Sequence, residues 1–288
     1  MTRMVPARMV LAKSLLVLIL TAASAGARAE DALVRIKAEG VVRIGFANEA
    51  PWSFANADGT IAGADYELAS LVFSRIGAPA LEGVITKFGS LIPGLQANRF
   101  DVVVAGFYIR PARCEQVAFS EPTVAVGDSI IVRKGNPKKI SSYNFVVANP
   151  SIKLGGVVGA ATARNAKDAG IPDSQLVMFP DFVSAVSALK ADRVDGALQT
   201  AISAEATVKS DPSIERALPF EQAIINGKST VNYAGYAFRP NDKELLAAVN
   251  AELAKILGGP EHLKILAKYS ISPNEVPKGV TTKELCTP

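Results

Sequence analysis

Histidine and cysteine are scarce in this sequence, which has one histidine and two cysteines among 288 residues. His262 lies in a predicted C-terminal helix, far along the chain from the motifs described below. This scarcity argues against a Ser-His-Asp catalytic site and against a multi-histidine metal site. The wide spacing of Cys114 and Cys286 rules out the CxxC motifs of redox and zinc proteins. We therefore predict neither a metal nor a cofactor.

Long apolar runs are missing too, apart from a short one at 14–20. A basic start, this run and the pattern Ala27-Arg28-Ala29 are together typical of a signal peptide. The run is too short to span a bilayer, and no later segment is apolar enough to do so. We therefore expect residues 1–29 to be a signal peptide, cut between Ala29 and Glu30 when the protein is exported to the periplasm.

Without residues 1–29, the chain has no excess of positive or negative charge. Four of the 31 basic residues lie within residues 1–29, and none of the 27 acidic residues does. The remaining chain has 27 basic and 27 acidic residues, so its formal net charge is zero. A chain without a basic surplus has no electrostatic reason to bind nucleic acid or an anionic membrane, and we predict neither.

The two cysteines remain in the part of the chain that we expect to be exported. In an oxidising compartment, an even pair favours a disulfide over two free thiols. If they pair, Cys114–Cys286 is the only possible connection, and it would tie the polar C-terminal tail to the first half of the chain.

Predicted strands and helices alternate along the chain in two series. The strands of both series are predicted at 41–46, 81–86, 102–104, 154–158, 176–179 and 194–198. The helices are predicted at 64–76, 91–97, 182–190 and 202–209, and a further helix is predicted from the turn 159–162 through Ala169. Such alternation is typical of parallel sheets covered by helices, which predicts an α/β protein with two lobes.

Two extended runs, 129–134 and 233–239, are predicted to connect the lobes. The first lobe then comprises residues 30–131 and 237–288, and the second comprises residues 132–236. A chain that leaves one lobe, builds the other and returns makes a double-stranded hinge, which allows closure around a ligand in the cleft.

The first lobe contains a turn with the features of a ligand site. A buried strand at Val102–Val104 ends at Ala105-Gly106, where the missing glycine side chain lets a ligand approach the backbone. Tyr108, Arg110 and Arg113 follow. Ligands of open α/β sheets bind beyond the carboxyl ends of the strands, so this turn indicates a small anionic or zwitterionic ligand. The alternative is a surface turn with solvated arginines.

The order and spacing of several motifs resemble those of the periplasmic solute-binding proteins of ABC importers, in the polar amino-acid family. In the first lobe the motifs are Gly63-Ala-Asp65-Tyr-Glu67-Leu-Ala69, residues 88–101, and Arg113 followed by Phe119-Ser120-x-Pro122. In the second lobe they are Gly159 to Thr162, and Phe179-Pro180-Asp181 with residues 191–195. The segments that look most like the ectoine/hydroxyectoine-binding subgroup are 45–51, 88–95 and 113–123.

The resemblance implies a type II-like periplasmic binding-protein fold, with the ligand cleft between the lobes. It implies a monomer that binds a small zwitterionic solute by lobe closure and passes it to an inner-membrane ABC permease. Arg113 would hold a carboxylate with its planar fork. The helix that begins near Thr162 would present free N–H groups to the same carboxylate. A surface ion pair of Arg113 with Glu115 or Glu121 is the alternative.

The resemblance also implies a delocalised cation at the other end of the ligand. Amino-acid binders of the family usually place an aspartate of the second lobe against the α-ammonium, where this sequence has Thr200. Trp52, at the cleft mouth, would offer an aromatic face to a spread cation together with Phe88 and Tyr108. Glu49 would neutralise that cation. Core packing is the alternative for each aromatic residue.

Other functions stay open at this point. A polar amino acid is the second candidate ligand, and Arg110 is an unusual charge for the binding turn. A few dehydratases and peptidoglycan-cleaving proteins share the fold. Glu49 could act as a lone general acid, but no second catalytic group is evident, so we expect no enzyme. A sensing module without a transporter is a further alternative.

Overall fold

The computed structural model describes residue 1, residues 32–225 and residues 227–287. The predicted leader and its cleavage site between Ala29 and Glu30 lie outside these residues. The chain from Ala32 onwards forms a single unit. Within the described part, no helix combines the length and the apolar character needed to cross a membrane.

A five-stranded sheet forms the centre of the first lobe. Its strands, in spatial order, are Ala80–Ile85, Val41–Phe46, Val102–Val103, Ala237–Phe238 and Ala118–Phe119. The first three run parallel, and Ala237–Phe238 is antiparallel to both of its neighbours. Val42, Ile44 and Phe46 are fully buried and, as alternate residues of the strand, point to the same face of the sheet.

Helices pack on this sheet and on one another, and we call the sheet with these helices lobe one. The helices are Ala32–Glu39, Ala64–Ile76, Leu91–Gln96, Pro111–Cys114, Lys243–Ile256, Pro260–Lys268 and Thr282–Cys286, with 3₁₀ turns at Phe88–Ser90 and Pro273–Glu275. The helix Ala64–Ile76 has its predicted bounds. It ends at Gly77, whose φ of 97° is a left-handed conformation that glycine adopts without strain.

A second five-stranded sheet forms the centre of lobe two. Its strands, in spatial order, are Leu176–Phe179, Leu154–Val157, Gly196–Thr200, Asp128–Arg133 and Ile214–Arg216. The helices of this lobe are Tyr143–Val147, Ala161–Asp168, Phe182–Lys190 and Ala201–Lys209, with a 3₁₀ turn at Asp173–Gln175. The side chain of Asp181 accepts a hydrogen bond from the Ser184 N–H and so caps Phe182–Lys190, which has its predicted bounds.

Two short segments connect the lobes and pair with each other. Val124–Val126 and Asn232–Ala234 form an antiparallel ladder that lies, in chain order, between the strands of the two sheets. The predicted crossover at 129–134 is wrong, because Asp128–Arg133 pairs on both sides within the second sheet. The two α/β lobes with this double connection confirm the predicted fold class.

The predicted strand at 233–239 is two strands with separate roles. Asn232–Ala234 belongs to the hinge, and Ala237–Phe238 belongs to the first sheet. We therefore propose that the lobe boundaries lie at the paired hinge segments instead of between 131 and 132 and between 236 and 237. Two further antiparallel pairs are Phe54–Ala55 with Ile61–Ala62, and Ile224–Ile225 with Lys228–Ser229.

The predicted Cys114–Cys286 disulfide is confirmed, with Cα atoms 5.7 Å apart. The tail that carries it is ordered, because Thr282–Cys286 is a helix that begins with a capping box. The first N–H of this helix donates to Glu121 Oε2 at 3.0 Å. The tail is thus fastened to the part of lobe one that also carries Arg113.

Candidate ligand-binding site

A small cavity lies where the two lobes face each other. Both lobes contribute polar, aromatic and small residues to its wall. The lining residues are Glu49, Phe88, Gly106, Tyr108, Arg113, Ala160, Ala161, Thr162, Phe182 and Thr200. The structure therefore brings together all of the ligand-binding residues predicted from the sequence except Trp52.

Arg113 lies in the short helix Pro111–Cys114 and is 9% exposed. Its Nη1 donates to Tyr108 O at 2.8 Å, and its Nη2 donates to Gly159 O at 2.9 Å, so the side chain contacts both lobes. These bonds use two of the five guanidinium N–H donors. The other three are available to an anionic ligand group.

The guanidinium of Arg113 also stacks on an aromatic ring. Its Cζ lies 3.9 Å from the ring centroid of Phe107, which was not among the site residues predicted from the sequence. The alternative of a surface ion pair with Glu115 or Glu121 does not describe the structure, since Arg113 is buried. Burial, helped by the nearby charge of Arg110, lowers the pKa of Arg113 to about 9. An anionic ligand would offset this cost of burial.

Glu49 follows the strand Val41–Phe46 and is 6% exposed. Burial raises the pKa of its carboxyl group to about 8, while a hydrogen bond with Ser203 lowers it and the neighbouring Asp65 raises it. Its Oε1 has no hydrogen-bond partner among the described residues. A buried acceptor without a partner is costly, so this part of the wall suits a hydrogen-bond donor of a ligand.

Two more residues of the wall carry hydroxyl groups without a partner. Tyr108 Oη and Thr162 Oγ1 are buried and form no hydrogen bond with the described residues. A hydroxyl group can both donate and accept a hydrogen bond. With Glu49 they give the cavity three polar groups that a ligand could satisfy, contributed by both lobes.

Aromatic rings from opposite lobes meet at the cavity. The rings of Phe88 and Phe182 pack edge to face, with centroids 5.9 Å apart. Phe88 and the turn Gly159 to Thr162, which contains Ala160 and Ala161, were predicted from the sequence, whereas Phe182 was not. Phe182 comes shortly after the strand Leu176–Phe179, so the rule that ligands bind beyond strand ends could have found it.

Trp52 is not at the mouth of the cleft, and this expectation is wrong. Its side chain is 1% exposed, and its Nε1 donates to Ser203 Oγ of lobe two at 2.9 Å. A Cβ atom at Gly106 would lie 2.8 Å from the indole ring, so Trp52 packs directly against the Gly106 turn. The N–H of Gly106, which has a φ of 58°, donates to Asp65. Trp52 and Asp65 therefore support the binding turn from behind.

Lobe two presents the starts of two helices to the cavity. The helix Ala161–Asp168 follows Ala160, which provides no side-chain cap. The first N–H groups of a helix have no partner within the helix, and here no side chain of Ala160 takes that place. Thr200 caps Ala201–Lys209, since its Oγ1 accepts from the Ser203 N–H at 3.0 Å. Thr200 therefore caps the start of this helix at the cavity wall, and it brings no charge to the wall.

The single histidine lies away from this wall. His262 is buried in the helix Pro260–Lys268, and its Nδ1 accepts a hydrogen bond from the Gly258 N–H at 3.0 Å. Burial lowers the pKa of His262 to about 4, which keeps it neutral near pH 7. Among the described residues, no group of three or more His, Cys, Asp or Glu side chains is placed to hold a metal ion.

Comparison with known proteins identifies the family. A probable amino-acid ABC transporter periplasmic-binding protein of Sinorhizobium fredii is 34% identical over 259 residues, which cover 88% of this chain and 86% of that protein. The crystal structure of EhuB in complex with hydroxyectoine is 33% identical, with a TM-score of 0.80, and the match covers 89% of this chain and 98% of EhuB. The ancestral amino acid-binding protein AncCDT-1, a precursor of cyclohexadienyl dehydratase, is 27% identical with a TM-score of 0.71, over 82% of this chain and 98% of that protein. The family model of the bacterial extracellular solute-binding proteins, family 3, matches residues 42–272. The chain therefore belongs to family 3 of the bacterial extracellular solute-binding proteins.

Proposed function

We propose that the protein binds a small zwitterionic solute of the ectoine and hydroxyectoine class and passes it to an inner-membrane ABC permease. The observation that carries this proposal is the presence of a buried guanidinium and a buried carboxyl group, Arg113 and Glu49, in the wall of one small cavity. The likeness to EhuB, which was crystallised with hydroxyectoine, supports the same ligand class.

The anionic end of the ligand is placed against Arg113. A guanidinium matches a carboxylate with two parallel hydrogen bonds. The ring of Phe107 and the carbonyl groups of Tyr108 and Gly159 already hold the guanidinium, so little side-chain entropy is lost when the ligand binds. The start of the helix Ala161–Asp168 adds N–H donors and the positive end of a helix dipole.

The cationic end is placed against Glu49. Its pKa of about 8 leaves the carboxyl group mostly protonated near pH 7, and a nearby cation favours the ionised form. Binding therefore releases a proton from Glu49 to the solvent. Phe88, Tyr108 and Phe182 offer ring faces that suit a spread cation more than a compact ammonium group.

The position of Thr200 also favours a spread cation over a compact ammonium group. Amino-acid binders of the family usually have an aspartate there, whereas the threonine carries no charge that could pair with an α-ammonium.

A polar amino acid is the second candidate ligand. The relative from Sinorhizobium fredii is named for amino acids, and Arg113 could hold any carboxylate. An α-ammonium would then depend on Glu49 alone. Catalysis is less well supported, although a raised pKa would suit Glu49 as a general acid. The family binds solutes, and the described wall contains no second carboxyl group and no histidine.

We also propose that the protein acts as a periplasmic monomer after cleavage between Ala29 and Glu30. The Cys114–Cys286 disulfide fits an oxidising compartment. The intact mass of the protein recovered from the periplasm tests this proposal. A mass that includes residues 1–29 would contradict cleavage.

Isothermal titration calorimetry of residues 30–288 tests the proposed ligand class. The panel consists of ectoine, hydroxyectoine, glycine betaine, arginine, glutamine and histidine. We expect ectoine or hydroxyectoine to bind more tightly than every acyclic α-amino acid. Micromolar binding of an amino acid, with no binding of either ectoine at millimolar concentration, would identify an ordinary amino-acid-binding protein.

A further inference from the structure

Arg110 joins the two lobes at a point outside the cavity. It belongs to lobe one, and its Nη1 donates to Asn165 Oδ1 at 2.9 Å and to Ala161 O at 3.3 Å. Its Nη2 lies 3.7 Å from Asp168 Oδ2. One guanidinium therefore contacts three groups of a single helix of lobe two, Ala161–Asp168.

The partner Asn165 is itself held inside lobe two. Its Nδ2 donates to Asp128 Oδ2 at 2.8 Å, and Tyr143 Oη donates to the same oxygen at 2.8 Å. Asp128 is buried, attracts Arg110 electrostatically and lies just after the hinge segment Val124–Val126. The network therefore runs from the binding turn of lobe one to the base of the hinge.

We propose that Arg110 is a latch that holds lobe two closed over the cavity and thereby sets how slowly a solute leaves. It is a positioning residue, because its side chain is not part of the described cavity wall. The latch would act on any solute held by lobe closure. The latch proposal depends on the proposed function in one respect only, which is that the cavity must retain a solute.

The geometry of this contact suits arginine more than lysine. A planar guanidinium reaches three acceptors at once, whereas an ammonium group is a point charge without a fork. The Arg110 side chain is 24% exposed, so water competes for it and the contact is weaker than a fully buried one. We expect its loss to favour the open arrangement about ten-fold, which corresponds to about 1.4 kcal/mol.

Trp52 provides a reporter of closure that needs no ligand. It is the only tryptophan of the chain, and its indole N–H donates to Ser203 of lobe two. Opening would break this bond and expose the ring edge to a quencher. Acrylamide quenching is compared in the ligand-free wild type, Arg110→Met and Arg75→Met. Arg75 is the matched control, because its Nη2 donates to Glu261 Oε2 within lobe one and does not cross the cleft.

We expect Arg110→Met to increase the acrylamide quenching of Trp52 and to raise the dissociation rate of hydroxyectoine about ten-fold, with little change in the association rate. Arg75→Met should match the wild type in both measurements. Arg110→Lys keeps the charge but loses the fork, and it should stay impaired. If Arg110→Met does not fold, Arg110→Lys is compared with Arg75→Lys in the same two measurements.

Equal quenching in the Arg110 and Arg75 variants would overturn the latch. Full rescue by Arg110→Lys would also overturn it, because the effect would then belong to the charge alone. If hydroxyectoine does not bind the wild type, the proposed ligand class fails, while the quenching comparison still tests the latch.

Discussion

The two lobes contribute to the cavity in different ways. Lobe one provides long polar side chains, Glu49, Tyr108 and Arg113, which extend from segments beyond the ends of its strands. Lobe two provides small residues at the starts of two helices, residues 160–162 and Thr200, together with the ring of Phe182. Under the proposed function, lobe one selects the ligand by charge, and lobe two covers it with backbone donors and hydroxyl groups.

The residues that pack behind the cavity wall also differ between the two lobes. In lobe one, Trp52 and Asp65 pack or bond against Gly106, and the Cys114–Cys286 disulfide fastens the C-terminal tail next to Arg113. Charged groups on such a rigid support lose little entropy on binding. Lobe two carries no charged side chain in the described wall, so it can separate from the ligand without leaving a buried charge unpaired.

The largest expected effect comes from removing the positive charge of lobe one. Arg113→Ala should weaken hydroxyectoine binding by about 30-fold to several thousand-fold, because losing a buried charge-assisted contact costs roughly 2–5 kcal/mol. Calorimetry measures the Kd, and circular dichroism checks that the variant is folded. Arg75→Ala is the control and should keep the wild-type Kd, because Arg75 bonds Glu261 away from the cleft. A near-normal Kd for Arg113→Ala would mean that the carboxylate is held elsewhere.

The second prediction compares the stability of the two lobes after the disulfide is removed. Replacing both cysteines by serine should lower the free energy of unfolding by roughly 2–5 kcal/mol, because the bond closes a long loop with a sequence separation of 172. Both cysteines lie in lobe one, so hydrogen exchange should show lost protection mainly there. Equal loss of protection in both lobes would contradict a stabilising role confined to lobe one.

The third effect concerns the charge of Glu49, whose pKa burial raises to about 8. A cationic ligand binds the ionised form, so binding below about pH 8 must first remove a proton. The Kd should fall about ten-fold per pH unit as the pH rises from about 6 towards 8. Calorimetry at several pH values measures this profile.

Glu49→Gln is the matched variant for this profile. Glutamine keeps the shape and an acceptor oxygen but cannot ionise. Its Kd near pH 8 should be higher than that of the wild type, and the improvement between about pH 6 and 8 should disappear. If the variant kept the wild-type pH dependence, the proton would come from another group.

The smallest effect is expected from the hydroxyl group of lobe two. Thr162→Val keeps the shape but removes one neutral hydrogen-bonding group, which is worth about 1 kcal/mol or a five-fold change in Kd. Thr60→Val, in an exposed turn of lobe one, is the control. A loss as large as that of Arg113→Ala would show that lobe two selects the ligand as strongly as lobe one.

Local rules explain why much of the site could be predicted from the sequence. Strand Val41–Phe46 and helix Ala64–Ile76 have their predicted bounds because their apolar patterns and flanking glycines are local signals. Glu49, Arg113 and Thr200 each come shortly after or at the end of a strand. Strand ends of the two sheets meet at one cleft, so residues distant in the chain could be assigned to one site.

Long-range packing explains what the sequence could not predict. Trp52 was expected at the cleft mouth, yet its burial depends on Gly106 and on Ser203, which is 151 residues away in the chain. The run 233–239 has one continuous β pattern, but it is divided where the Tyr236 N–H bonds Ser120 Oγ. Neither contact leaves a periodic signal in the sequence.

A crystal structure of the protein with hydroxyectoine tests the division between the lobes most directly. We predict that the carboxylate of the ligand bonds the Arg113 guanidinium at about 2.7–3.0 Å and that its cationic N–H groups lie within the same distance of Glu49 Oε1. Lobe two should contribute only hydroxyl groups, ring faces and the N–H groups near Thr162. A carboxylate that bonds lobe two alone, or a cationic end that lies away from Glu49, would contradict this division.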